Sequence, residues 1–516
     1  MFVNEKILIG KSSEKELYIL PDKANRHGLI TGASGSGKTV TLKVMAESFS
    51  AAGVPVFLSD IKGDLAATCL PGENTDKIKT RLDEISITDF KFQGFPTVFW
   101  DVFGVDGHPV RATVKSIGPV ILSRMLGLTD TQEGVLSIAF RIAEDKKMEI
   151  VDLKDLRLLL QYIGDNRKDY TISYGNISTQ SVGSIQRSIL MLEDQGGDSF
   201  FGEPNIDIND FIQTDKATGF GNINILHAVE LFKQPNLYAC FMLWLLTALN
   251  NKLPEVGDLE KPKIVFFFDE AHLLFDNIPS YMLTQVVQVV KLIRSKGIGL
   301  YFISQTPNDI PGDILAQLGN RVQHALRAYT PAEQKIVKAV ASSFRTNSAF
   351  NTEHAIMTLG TGEALISFTN EKGEPNVVDR ATILPPQSQM GAIDAGTRLM
   401  VMTRSPYKGK YDTAIDRETA YEQIKAELDE KQATETAKKE AEEKAKQELA
   451  EKKQAEQEAK QKEKEQKAKE KEAQQKAKET KKTKSSIEKV FDKAVNTATT
   501  TATRKIVNNV LKNLFK

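Results

Sequence analysis

Cysteine is almost missing. Cys69 and Cys240 are the only two in 516 residues, which excludes a disulfide framework and a cysteine-built zinc site. Long apolar runs are missing as well. The longest, residues 239–249 (ACFMLWLLTAL), is about half of a bilayer span and reads as a buried helix. The opening MFVNEKILIG leads into no long apolar core with a small-residue cleavage site, so no secretory signal is evident and the expected compartment is the reducing cytoplasm. Net charge is missing too, with 68 basic and 68 acidic side chains. No global basic surface for nucleic acid follows, and any such binding is confined to loops or a pore.

That zero hides an asymmetry. Residues 416–458 carry 14 acidic and 9 basic side chains, 459–484 carry 5 and 11, 485–516 carry 2 and 6, and 1–415 carry 47 and 42. The segment 416–484 is almost wholly Glu, Lys, Ala and Gln. Its alanines at 433, 437, 441 and 445 step by four residues, which rotates about 40° per repeat instead of holding one seam. The pattern predicts a solvated single helix laced by i,i+4 pairs and partly disordered, and a poor coiled coil. Beyond it, Ile487, Val490, Phe491, Ala494 and Val495 form one apolar helix face, and Ile506, Val507, Val510, Leu511, Leu514 and Phe515 another. These terminal helices, 485–516, are expected to dock on a partner protein, on an anionic membrane surface, or on the body of the chain itself.

The strongest chemical signal is GLITGASGSGKTV at 28–40. Leu29 and Ile30 end a strand-like run, and an amphipathic helix is predicted to start after the loop. Between them Gly32, Ala33, Ser34, Gly35, Ser36, Gly37, Lys38 and Thr39 fit G-x-x-x-x-G-K-[ST], a phosphate-binding loop in its required strand–loop–helix context. Glycines let successive N–H groups turn inward at the positive end of a helix. Lys38 brings a point charge to the β- and γ-phosphates of ATP, and Thr39 a hydroxyl to Mg²⁺.

Residues 53–60 (GVPVFLSD) read as a doubly buried strand, with Asp60, Lys62 and Asp64 facing a nucleotide or polymer or else capping a turn. Residues 111–220 change to helical period and read as an insertion. The second chemical signal is KIVFFFDEAH at 263–272, an unbroken apolar strand ending in Asp269 and Glu270. Downstream of a phosphate loop, Asp269 would hold Mg²⁺ and Glu270 would activate water. His272 is expected to anchor the turn. The next strand, GLYFISQTP, ends at Gln305, placed to sense the γ-phosphate or orient water. Residues 320–328 (NRVQHALRA) alternate as a strand, giving Arg321 and Arg327 equal parity. Arg321 is the first candidate for a cation that crosses to a neighbouring subunit's site, and Arg327 the reserve. A closing hairpin over 359–380 follows.

In the joint order of GASGSGKT, SDIKGD, VFFFDEAH, YFISQTP and LGNRVQHALRA, the chain resembles the HerA-like branch of the HerA-FtsK superfamily, most closely its YjgR type, over roughly 1–410 and more loosely the final helix. The resemblance implies an α/β P-loop NTPase with a RecA-like, mostly parallel sheet over 1–110 and 221–415, a helical insertion at 111–220 and a charged helical tail. It places the Walker lysine and threonine at Lys38 and Thr39, the acidic pair at Asp269 and Glu270, the glutamine at Gln305 and the trans-acting arginine at Arg321. It further implies ATP and Mg²⁺ as ligands and a homo-oligomeric, hexameric ring that pumps double-stranded DNA. Two departures stand out. The 27 residues before the phosphate loop leave no room for the N-terminal β-barrel of HerA proteins, and the Glu/Lys segment lies outside the family core. The competing expectation is an ATP-switched interaction or scaffold protein working through its C-terminal helices. A small-molecule kinase would need an acceptor site and a lid that the sequence does not offer.

Overall fold

Apolar runs too uniform to alternate become the middle of one large sheet. The computed structural model describes residues 1–478 apart from 14, 258 and 277–279. The terminal helices expected over 485–516 lie outside the described residues. In chain order the strands are β1 (Phe2–Val3), β2 (Lys6–Lys11), β3 (Glu16–Ile19), β4 (Gly28–Thr31), β5 (Val56–Asp60), β6 (Thr97–Asp101) and β7 (His108–Pro109). After the insertion come β8 (Ile223–His227), β9 (Ile264–Phe268), β10 (Ile298–Ser304), β11 (Asn320–Gln323), β12 (Glu363–Ser367) and β13 (Asp379–Ile383).

Across the sheet the order is β1-β2-β13-β12-β11-β4-β10-β9-β5-β8-β6-β7, with β3 paired to β2. Every pairing from β11 to β7 is parallel. The remaining strands add antiparallel beside β11. β4, β5, β9 and β10 are buried along their whole length, as expected of parallel strands covered on both faces. The fold is therefore α/β with a RecA-like, mostly parallel sheet. β10 lies between the phosphate-loop strand β4 and the acidic strand β9, so the ends of all three share one edge.

Two local expectations change. The helix after the phosphate loop, Lys38–Ala51, is buried almost all round from Thr41 to Ser50 and is not amphipathic. Its polar groups are paired inside: Glu47 accepts from the backbone N–H of Gln387 (2.7 Å) and Ser388 (3.2 Å), while Lys43 donates to the Gln389 carbonyl. The strand expected over 320–328 stops at Gln323. The His324 N–H still donates to Thr31 O at 2.7 Å, but no regular strand continues past it, so Arg321 and Arg327 do not share one strand face.

Between β7 and β8 run helices Val114–Met125, Asp130–Asp145, Leu153–Asp165, Arg167–Tyr174 and Thr179–Asp194. Leu136, Leu156, Leu159, Ile185 and Ile189 are among their fully buried residues. The compact unit that includes them runs to Glu427, past the expected boundary at 415. The reason is a buried carboxylate: Asp155 accepts from Val151 N (2.7 Å), the Thr419 hydroxyl (2.6 Å) and Tyr421 N (2.9 Å). Tyr162 adds a hydrogen bond to Glu427 at 2.7 Å. Helix Ala420–Lys478 starts there. From Leu428 the second unit begins, and its described side chains are almost all exposed. Pairs such as Lys467–Glu463 (2.6 Å) have the i,i+4 spacing. Among the described residues no helix is long and apolar enough to cross a membrane.

Candidate nucleotide site

The loop from Gly32 to Gly37 is held from three directions. The Gly32 N–H donates to Gln305 O at 3.1 Å, Ala33 N–H to Ala325 O at 2.8 Å, and Gly362 N–H to Ser36 O at 3.1 Å. Gly37 has φ +117°, which favours glycine, and it caps the N-terminus of the helix that follows. A Cβ on Gly32 would come within 2.5 Å of His324 Cβ. Ser34 and Gly35 are exposed at the tip, and Thr39 is half-buried in the first helical turn. The Lys38 ammonium folds back onto the Gly32 (2.6 Å) and Ala33 (3.1 Å) carbonyls. Burial lowers its pKa, which Glu270 and Asp269 partly oppose.

His324, which the sequence reading passed over, is the loop's rear support. Its Nδ1 lies 2.9 Å from Glu363 O and its Nε2 lies 2.8 Å from the Thr41 hydroxyl. A carbonyl can only accept, so Nδ1 carries the proton and Nε2 accepts from Thr41. Burial pushes the imidazole pKa down to about 4. A histidine directly after a strand beside the phosphate-loop strand was the signal available.

At the end of β9, Asp269 and Glu270 occupy a turn. The Glu270 N–H donates to Asp269 Oδ1 at 3.0 Å and Ala271 N–H to Ile303 O at 2.9 Å. Glu270 has φ +47°, an uncommon backbone for a non-glycine residue and one found at functional sites. Burial raises the Asp269 pKa to about 6, against the pull of Lys62. Glu270 has Lys62 Nζ 3.8 Å from Oε1 and His272 Nδ1 3.5 Å from Oε2. The buried Oε2 nevertheless has no hydrogen-bond partner, and neither does Ser36 Oγ in the loop. The Ser36 hydroxyl can donate to a ligand oxygen, and the Glu270 carboxylate oxygen can accept from a donor such as water.

Gln305 is exposed one residue past β10. Asp309 stiffens the backbone beside it, accepting from the Ser304 hydroxyl (2.5 Å) and from Thr306 N (2.9 Å). Asp309 is the second residue the sequence reading missed. A polar hollow beside Gln305 is lined by His272, Asp276, Thr306, Asn308 and Asp309. Asp60 does not face this space. Its buried carboxylate accepts from Gly63 N (2.7 Å), Asp64 N (3.1 Å) and Leu65 N (3.0 Å), so it shapes a turn and leaves Lys62 outside.

Arg321, expected as a cation acting on a neighbouring subunit's site, is engaged within its own chain. It pairs in register with Leu29, in the first half of β4 and away from the phosphate loop. Its guanidinium donates to the carbonyls of Leu318 (3.0 Å), Ser343 (3.2 Å) and Leu315 (3.2 Å). Those bonds tie three segments of its own chain together. Arg327 is exposed and donates to Met357 O at 3.0 Å.

Comparison with known proteins gives concordant results. The profile of the family described as helicase HerA-like C-terminal matches residues 5–516. The DNA double-strand break repair helicase HerA of Sulfolobus acidocaldarius is 22% identical over 363 residues, covering 70% of this chain and 65% of that protein. The protein of the same name from Saccharolobus solfataricus is 22% identical over 366 residues, covering 70% and 64%. The chain thus spans less than two thirds of the length of these relatives. Among solved structures, the plasmid coupling protein TrwB with a non-hydrolysable ATP analogue is 15% identical with a TM-score of 0.48, covering 74% of this chain and 91% of that one. VirB4 of Thermoanaerobacter pseudethanolicus is 16% identical with a TM-score of 0.47, covering 79% and 98%.

Proposed function

The chain belongs to the helicase HerA-like C-terminal family, and we propose that it is a motor that hydrolyses ATP to move along double-stranded DNA. The observation that carries the reading is the adjacency of β4, β10 and β9, which gathers the phosphate loop, Gln305 and the Asp269–Glu270 turn on one edge. Backbone N–H groups at the loop tip, those of Ser34, Gly35 and Gly37, receive the phosphates at a helix N-terminus. Lys38 exchanges the carbonyls of Gly32 and Ala33 for phosphate oxygens. Thr39 and Asp269 are the residues that would hold Mg²⁺, which neutralises phosphate charge when bound. With a hydroxyl and a single carboxylate, that ion would keep most of its water. Glu270 takes the proton from the attacking water, and Gln305 orients that water or senses the γ-phosphate.

Duplex DNA as the polymer is supported by the HerA relatives, which are named as DNA repair helicases. A cytoplasmic homo-oligomeric ring, hexameric by family resemblance, is part of the proposal. In it a neighbour supplies the cation that offsets developing γ-phosphate charge, a part for which exposed Arg327 is freer than Arg321, which is bonded to three carbonyls of its own chain. A second reading, an ATP-switched interaction protein, draws on the exposed, charged helix Ala420–Lys478.

The two readings part in one assay. Duplex DNA should raise ATP turnover several-fold, the stimulation should fade as salt rises, and Lys38→Ala should abolish turnover with or without DNA. Lys38-dependent turnover indifferent to DNA at low salt would remove the DNA part of the proposal and leave the switch.

A further inference from the structure

The loop after β5 is more rigid than a connecting loop requires. Asp60 is 1% exposed and spends its carboxylate on three successive backbone N–H groups, while Ile61 is buried beneath. Gly63, at φ +74°, lets the chain double back. This framework leaves Lys62 as the one exposed residue from Asp60 to Leu65, with half of its side chain in solvent. Its ion-pair partner is Glu270, at 3.8 Å, whose own side chain is only 14% exposed.

That partner is the residue assigned above to activate water. A carboxylate acting as a general base must turn a free lone pair to the water it deprotonates. Here the ammonium of Lys62 lies 3.8 Å from Oε1, while Oε2, with His272 Nδ1 at 3.5 Å, has no hydrogen-bond partner, so the ion pair bears on how the carboxylate is turned and leaves that oxygen open. The other charged or titratable groups felt at this turn are Lys38, Asp269 and the buried Tyr238 phenol. Lys62 is the mobile member: long, half-solvated, and bound by a loose pair of the kind that is easily broken. An ammonium released from it has an obvious alternative partner in a phosphate oxygen.

Building on the assignment of Glu270 as the base, we infer that Lys62 is a positioning residue that restrains Glu270 until a phosphate draws the ammonium away. The phosphate belongs either to the nucleotide or to the backbone of a DNA duplex. In both cases catalysis waits for an anion to arrive, so that turnover is coupled to occupancy.

The test is amine acylation of the intact protein, read at Lys62 by mass spectrometry, combined with steady-state kinetics. Glu270→Gln should raise labelling of Lys62 in the ligand-free protein about twofold to fivefold, the range of a loose ion pair. A non-hydrolysable ATP analogue with Mg²⁺ that then protects Lys62 identifies the nucleotide as the source. Protection by a DNA duplex identifies the polymer. In the polymer case Lys62→Met should raise DNA-free turnover towards the stimulated rate and lose stimulation. In the nucleotide case it should lower kcat with little change in KM, and Lys62→Arg should restore most of it. Equal labelling in the wild type and Glu270→Gln, or protection by neither ligand, overturns the restraint. Full turnover by Glu270→Gln would instead sink the catalytic assignment while leaving the labelling result to stand.

Discussion

The imidazole Nε2 of His324 accepts a hydrogen bond from the hydroxyl of Thr41 at 2.8 Å, joining the chain beyond β11 to the first turn of the phosphate-loop helix. Because Nδ1 is spent on Glu363 O, one neutral ring ties three segments around the nucleotide site. The loop's backbone is supported from behind by a side chain whose two ring nitrogens are spent on its own chain.

His324→Ala should therefore cost about 2 kcal/mol of stability, since it strands the buried Thr41 hydroxyl and the Glu363 carbonyl. It should also weaken ATP binding more than it changes kcat. Urea unfolding and nucleotide titration check both. The pH dependence follows from sign. Burial holds His324 and His27 each down to about 4 from 6.5. Above pH 6.5 both folded and unfolded rings are neutral. Below it the unfolded chain takes up protons that the folded chain refuses, so stability falls between 6.5 and about 4. Each ring contributes a slope of up to about 1.4 kcal/mol per pH unit. His324→Gln should shed one ring's share, and an unchanged slope would contradict the assignment.

Arg321→Ala should act as a structural lesion. Three carbonyls lose their donor, so a loss of about 1–3 kcal/mol is expected, with turnover per folded molecule near normal. Mixing with Lys38→Ala should give no rescue. A normally stable Arg321→Ala protein that binds ATP without hydrolysing it would instead assign Arg321 to a shared site.

The tail gives a third prediction. Removing 431–516 should leave the melting temperature of the core almost unchanged, because the described side chains beyond that point are exposed. Removing 416–516 should lower it clearly, by exposing Asp155 and unpairing it from Thr419 and Tyr421. Calorimetry on the two truncations decides. Equal melting would show that the junction carries no stability.

Much of the sheet was legible because parallel strands buried on both faces write themselves as plain apolar runs, as β5, β9 and β10 do. The phosphate loop and the Asp269–Glu270 turn were legible because their chemistry fixes residue type and spacing. Other features depend on contacts far apart in sequence. Alternation over 320–328 looked like one strand, yet β11 stops at Gln323 and the chain beyond it bonds to the Ala33 N–H and the Thr41 hydroxyl. Asp60 could face a ligand or shape a turn at its strand end, and only the loop geometry shows its oxygens spent on backbone. The boundary near 415 followed composition, whereas the pairing of Asp155 with Thr419 joins residues 264 apart. Lys62 beside Glu270 is likewise a contact that no spacing rule encodes.

The central claim is that ATP hydrolysis at this site drives movement along duplex DNA. Its most direct measurement is displacement of a triplex-forming strand from a duplex, with fuel and without. The wild-type protein should displace the third strand only with hydrolysable ATP, and Glu270→Gln should bind ATP yet displace none. Brisk DNA-stimulated hydrolysis with no displacement on any duplex length would contradict the account.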